Sequence, residues 1–224
     1  MVARTLTIAG KDLRLVVSGG SGLVQAVLLG LLLIFLFSLA APVGVKIEPQ
    51  SAAAVFWLSS AFSLVLIFNS LYGIEEADDT RLALIIAPIP VQSVLLGKIV
   101  AGFCLLLLSQ IVFVPAVIVF LGQDLAGSGF MGLGMILLAD VGLTVLGGLL
   151  GALAQGENSR DALLSIILFP LLIPVLLAGI RVGGEVLSGV HTGGASSWLM
   201  LTLAFDAIFS GAALVLFPFV YRGD

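Results

Sequence analysis

Charge is what this 224-residue chain has least of: 10% of its residues are Asp, Glu, Lys or Arg, against 60% that are hydrophobic. A soluble domain carries about 25% charged residues, so a water-soluble protein built round one core is excluded. Nine basic and thirteen acidic residues leave a net charge of -4, and no basic face remains for a nucleic acid. Cys104 is the sole cysteine, which removes an intramolecular disulfide framework, a zinc ribbon and a covalent haem-attachment motif. His191 is the sole histidine, so neither a two-histidine metal site nor a histidine relay can form.

Phosphate-binding and nucleophile motifs are missing as well. A P-loop needs G-x-x-x-x-G-K-[ST] to wrap phosphates and hold magnesium. At Gly97-Lys98, Gln92 stands where the first glycine belongs and Ile99 where the hydroxyl belongs, and Gly10-Lys11 is followed by Asp12. Gly19-Gly20-Ser21-Gly22 lacks the G-x-S-x-G spacing of a nucleophile elbow. Any ATPase activity must therefore come from a partner, and an embedded enzyme has no cluster of groups to work with.

What the chain does have is long apolar runs. A helix needs about 20 mostly apolar residues to cross a ~30 Å hydrocarbon core. Six stretches qualify: about Leu23 to Ala41, Ala52 to Leu71, a third within Val94 to Leu121 and taken from about Lys98, Phe130 to Ala154, Ala162 to Ile180, and Trp198 to Tyr221. Turn residues separate them, among them Pro42, Gly127 to Gly129, and Gly193-Gly194. Runs such as Val27 to Phe37 are apolar on every face, unlike the alternating strands of a membrane barrel. The expectation is an all-α membrane protein, one transmembrane domain over residues 1–224.

The first span could be a signal peptide, with Arg4, Lys11 and Arg14 before it and Ser38-Leu39-Ala40 as a cleavage site. Its apolar run is too long and its leading segment too extended for that role, so a retained span is expected. Orientation follows the loop lysines and arginines. Arg4, Lys11, Arg14, Arg81, Lys98, Arg160 and Arg222 fall on the side of the N-terminus, and only Lys46 and Arg181 on the other. Both termini are thus expected in the cytoplasm. Thr5 to Ser18 mixes apolar and basic residues and reads as an amphipathic helix at the inner membrane surface.

Several residues then stand out. Glu75, Glu76, Asp78, Asp79 and Arg81 form a charged inner loop, followed by an apolar strip from Leu82 to Ala87 and by Pro88 and Pro90, which break the backbone before Lys98 begins the next span. Most such charge runs are solvated faces; the specific alternative is a short element that docks into a cytoplasmic partner. Pro170 and Pro174 lie four apart in the fifth span, on one helix face, and should kink it. Pro115 interrupts the third. Gly147 and Gly151 have the spacing that lets helices approach closely. Asp140 and Asp206 fall near mid-span, where a carboxylate is costly and faces the bundle interior, most simply as interhelical glue. His191, in the outer loop between the last two spans, is a candidate ligand for iron or haem, although a lone loop histidine is ordinarily solvated. Cys104 reads as a small packing residue.

A six-span subunit with an interfacial first helix, an acidic inner loop and no ATPase motif resembles the membrane subunit of a type-2 ABC exporter. Pro88-Ile89-Pro90-Val91-Gln92-Ser93-Val94-Leu95-Leu96-Gly97-Lys98 is similar to the proline-x-proline to lysine segment of the haem exporter protein B family of cytochrome c maturation. Leu163-Leu164-Ser165-Ile166-Ile167-Leu168-Phe169-Pro170 and the stretch through Pro174 resemble that family's leucine-serine-isoleucine run with two prolines. One segment departs from the family: where it has an acid–glycine pair and then a glutamate, this chain reads Asp78-Asp79-Thr80-Arg81-Leu82.

The resemblance implies a bacterial inner-membrane subunit working with a cytoplasmic ABC ATPase, a tryptophan-rich haem-handling membrane subunit, a small membrane subunit and a periplasmic haem chaperone, amid membrane lipid. Haem would be a transported or handled substrate, not a tightly bound cofactor. Trp57 and Trp198, the only tryptophans, are too far apart for the chain to be the tryptophan-rich subunit itself. Alternatives are an ABC export permease for another apolar or amphipathic substrate, or a scaffold that transports nothing.

Overall fold

The computed structural model describes residues 2–19, 21–42, 45–77, 89–154, 160–190 and 193–222. Seven helices account for nearly all of them: α1 Val2–Gly19, α2 Ser21–Ala40, α3 Pro49–Ala77, α4 Val91–Phe120, α5 Gly129–Leu153, α6 Arg160–Ser188 and α7 Ala195–Arg222. No strand occurs among the described residues. Helices α2 to α7 are each long and apolar enough to cross a membrane, and the protein is an all-α membrane protein with six spans. An even number of crossings brings α1 and the end of α7 to one end of the bundle, here the near end.

Spans two, three and five differ most from expectation, and helix α3 runs six residues past Leu71 to Ala77. Helix α4 begins at Val91, two turns before Lys98, so this lysine lies inside the helix and does not open it. Helix α6 runs on past Ile180 to Ser188, and Arg181 sits on its last turns, not in a loop. Glycine inside a helix costs roughly 1 kcal/mol, but Gly183 and Gly184 are where α6 presses on Ala53 and Gln50 of α3, and this packing outweighs the cost. The helix ends only at Gly189, whose φ of 71° suits glycine and whose N–H reaches the Glu185 carbonyl at 2.9 Å.

Helix α3 is the centre of the bundle, flanked by α2, α4, α5 and α6, while α2 and α7 lie at the periphery with most of their surface turned outward. The α2–α3 seam is joined by hydroxyls: Ser59 donates to the Gly30 carbonyl at 3.2 Å and Ser63 to the Ala26 carbonyl at 2.8 Å. Hydrocarbon outside offers no alternative partner, so such bonds fix the mutual register of the two helices. The glycine pair of α5 is used differently from a backbone contact. The Phe68 ring lies over Gly147 and the Tyr72 ring over Gly151, so that any Cβ at either position would run into an aromatic side chain.

Helix α1 exists as expected. Thr5, Ile8, Ala9, Asp12 and Val16 form its buried stripe, which packs mainly on α4, with Ile8 seated over Gly97. Arg4, Lys11 and Arg14 face outward. In α6, Pro170 and Pro174 both lie on the exposed face together with Ile166 and Ile173, while Leu168, Leu172 and Val175 face the core. The helix continues through both prolines. Their missing donors therefore fall on the outer side, the side on which a helix wrapping a core is stretched.

Candidate functional site

Among the described residues, the most concentrated chemistry lies at the near end, around Lys98. Its side chain is sealed from solvent, as are those of Glu75 and Asp12. The ammonium lies 2.8 Å from Glu75 Oε1 and 3.5 Å from Asp12 Oδ2, donates to the Leu71 carbonyl at 2.9 Å, and sits 4.5 Å above the centre of the Tyr72 ring. A buried ammonium is tolerable only when carboxylates, carbonyls and aromatic faces replace its water, and Lys98 has all three. Asp12 is shared with Lys11, 2.9 Å away at the rim. The far oxygen of Glu75 accepts from the Tyr221 hydroxyl at 3.4 Å, and Tyr221 is held by stacking on Phe217 one turn earlier, at 5.1 Å. The Tyr72 hydroxyl donates to the Gly148 carbonyl of α5 at 2.5 Å.

This one cluster ties together five helices. Asp12 comes from α1, Glu75 and Tyr72 from α3, Lys98 from α4, the Gly148 carbonyl from α5 and Tyr221 from α7. Glu75 lies on the last turn of α3 and Lys98 in the first turns of α4, on either side of residues 78–88. These two helix ends are therefore clamped to each other and to α1 by buried charge, and to α7 through the Tyr221 hydroxyl.

Glu75 thus belongs to the interior. The acidic loop was expected to include it, but its carboxylate is drawn inward to Lys98, 2.8 Å away, whose other counter-ion, Asp12 at 3.5 Å, is shared with Lys11. Glu76 lies in the last turn of α3, and Pro90 is the residue immediately before α4. Asp78, Asp79, Arg81, Pro88 and His191 lie outside the described residues. Lys98, Asp12, Tyr72 and Tyr221 are the site residues that sequence reasoning missed. The available signal was a lone ammonium set between apolar residues, Val94 to Leu96 before it and Ile99 to Ala101 after it.

Two further polar groups lie deep in the spans. Gln110 of α4 donates to Asp140 Oδ1 of α5 at 2.9 Å and to Ser60 Oγ of α3 at 3.3 Å, joining three helices. Asp206 of α7 is buried against Gly142 of α5, whose missing Cβ leaves room for the carboxyl group. Asp140 and Asp206 are not brought together; they occupy separate seams on different faces of α5. Pro170 and Pro174 are remote from both clusters, on the outward side of α6. Among the described residues no three His, Cys, Asp or Glu gather as a metal site, and Cys104 is exposed.

Similarity to known proteins extends over most of the chain. The family described as CcmB protein matches residues 3–222. The heme exporter protein B of Rhodobacter capsulatus is 26% identical over 217 residues, covering 95% of this chain and 94% of its own. That of Paracoccus denitrificans is 26% identical over 216 residues, covering 93% and 92%. That of Pseudomonas aeruginosa is 25% identical over 188 residues, covering 84% and 81%. With six spans, and a family match that runs from the first helix to the end of the last, the chain belongs to the CcmB protein family.

Proposed function

We propose that this chain is the membrane-spanning subunit of an ABC-type haem exporter serving the assembly of c-type cytochromes. It lies in a bacterial inner membrane with both termini in the cytoplasm, as the seven-to-two distribution of basic residues supports. ATP is split by a cytoplasmic partner, since the chain has no phosphate-binding loop of its own. The work delivered here is mechanical: motion of the partner is passed through the bundle to the haem-handling subunits and to the periplasmic chaperone, for delivery of haem or for release of the loaded chaperone.

The observation that carries this reading is the position of the Lys98 cluster. An ATPase would act on the inner segment of residues 78–88, read from sequence as a loop, and the two helices on either side of it are cross-linked by the Lys98–Glu75 pair. Force applied to the loop is therefore shared at once by α1, α3, α4 and α7 instead of bending one helix end. Rigid elements with buried networks are what coupling between distant sites requires. The docking surface itself is assigned to Glu76, Asp78, Asp79 and Arg81, with Pro88 and Pro90 stiffening the return; Glu75 is left out because it is committed to Lys98.

Deletion of the gene tests the assignment. Holo-cytochromes c should disappear while b-type haem proteins remain normal. Loaded chaperone accumulating in the deletion would favour release, and unloaded chaperone would favour haem delivery. Normal c-type cytochromes would overturn the proposal.

A further inference from the structure

At the far end of the bundle, α4 and α6 stand apart with α3 behind them and α5 beside them, and they enclose an apolar cavity of about 260 Å³. Phe56 and Trp57 form its back, Val114 and Val117 one side, and Leu133 and Ile136 another. None of its lining residues is charged, and the indole nitrogen of Trp57 is turned onto Gly179. Glycines keep the space open. A Cβ at Gly129 would meet nothing within 4 Å, and at Gly132 the nearest neighbour is Val186.

Water has no partner in such a space, and an apolar cavity of about 150 Å³ is already enough to take up benzene. This cavity is larger and opens to the side. Its lip is hydrocarbon too: Leu125 is 57% exposed, Leu133 52%, and the neighbouring Phe130 88%. Leu125 follows directly on Asp124, whose carboxylate lies 3.9 Å from the Lys46 ammonium, both side chains being 84% exposed. An apolar slot at the depth of the far leaflet thus has one exposed cation and one exposed anion beside its mouth.

We propose that this cavity holds one acyl chain of a phospholipid from the far leaflet, with a zwitterionic headgroup placed over Lys46 and Asp124. The phosphate meets the ammonium of Lys46, and the amine of the headgroup meets Asp124. The site is independent of the near-end cluster and of the haem assignment, because it rests only on the shape and chemistry of the far end.

Photolabelling tests it. The full chain is reconstituted in phosphatidylethanolamine vesicles containing a trace of the same lipid with a diazirine in one acyl chain, irradiated, digested and mapped by mass spectrometry. Adducts should be enriched several-fold at Ile118, Leu133 and Ile136 over Leu28 and Phe35, which are exposed on α2. Gly129→Leu adds bulk at an exposed lining position of the cavity, with open space around it, and should block the entrance and remove that enrichment while its thermal unfolding stays like that of the parent chain. Lys46→Ala with Asp124→Ala should reduce it, and a diazirine fatty acid without the headgroup should label less. Equal labelling of α2 and the cavity, or enrichment that survives Gly129→Leu, would overturn the proposal. Displacement of the label by added haem would instead give the cavity to the cargo.

Discussion

Lys98 Nζ and Glu75 Oε1 lie 2.8 Å apart with both side chains sealed from solvent, and the two residues stand on facing helix ends, one at the end of α3 and one in the first turns of α4. Between them in sequence are all of residues 78–88; between them in space is a single ion pair. Breaking a buried pair by removing one partner leaves an uncompensated charge and costs about 3–5 kcal/mol. Lys98→Met should therefore lower the stability of the purified protein by that order, seen as a fall in its thermal midpoint in detergent. Combining Lys98→Met with Glu75→Gln should recover part of the loss, because the second carboxylate is then no longer stranded. Tyr221→Phe removes one hydrogen bond and should cost only ~1–2 kcal/mol, the extra above an ordinary bond reflecting the charged acceptor. Strict additivity in the Lys98 and Glu75 pair would show that the contact contributes nothing to folding.

For the docking loop, the informative variant is Glu76→Lys, Asp78→Lys and Asp79→Lys together, with Glu75 left intact. A lysine at position 75 would face Lys98 inside the bundle and destabilise it for a reason unrelated to docking. Exposed charge pairs contribute only ~0–1 kcal/mol each, so a single change should show little. The triple variant should insert and unfold normally yet co-purify poorly with the ATPase. Undiminished co-purification and stimulation would reduce the loop to a solvated turn.

The prolines of α6 allow a separate test. Pro170→Ala with Pro174→Ala restores two backbone donors on the outward face without touching Leu168, Leu172 or Val175 on the inward one. The double variant should assemble and be at least as stable as the parent, but support reduced cytochrome c maturation. Full maturation would make the prolines a packing feature only.

The number and class of the elements were legible in the chain because hydrocarbon thickness and backbone hydrogen bonding leave a run of about 20 apolar residues almost no choice but a helix. The amphipathic first helix was legible for a related reason: one buried stripe and one basic face recur at helical spacing. Helix ends were less legible. Val91 to Gly97 and Arg181 to Ser188 became helix because of what they pack against, Ile8 in one case and Ala53 and Gln50 in the other.

The polar site divides the same way. Sequence by itself placed Asp140 and Asp206 in the interior, since a carboxylate at mid-span has nowhere else to go. The structure gives Asp140 the Gln110 amide as its partner, whereas both oxygens of Asp206 are buried with no hydrogen-bond partner among the described residues. The expected bond between helices is thus found only for Asp140. Sequence also marked the acid-rich stretch after the second span, expected as a loop. Only the tertiary structure decided that Glu75 leaves that loop for the interior, that Lys98 is a buried hub instead of a span boundary, and that Asp12, Tyr72 and Tyr221 join it. These residues come from four helices separated by as many as 209 positions, from Asp12 to Tyr221. Periodicity reports only which face of a helix is apolar; which charge meets which is settled by how six spans and an interfacial helix pack, where each buried charge must find its counter-ion.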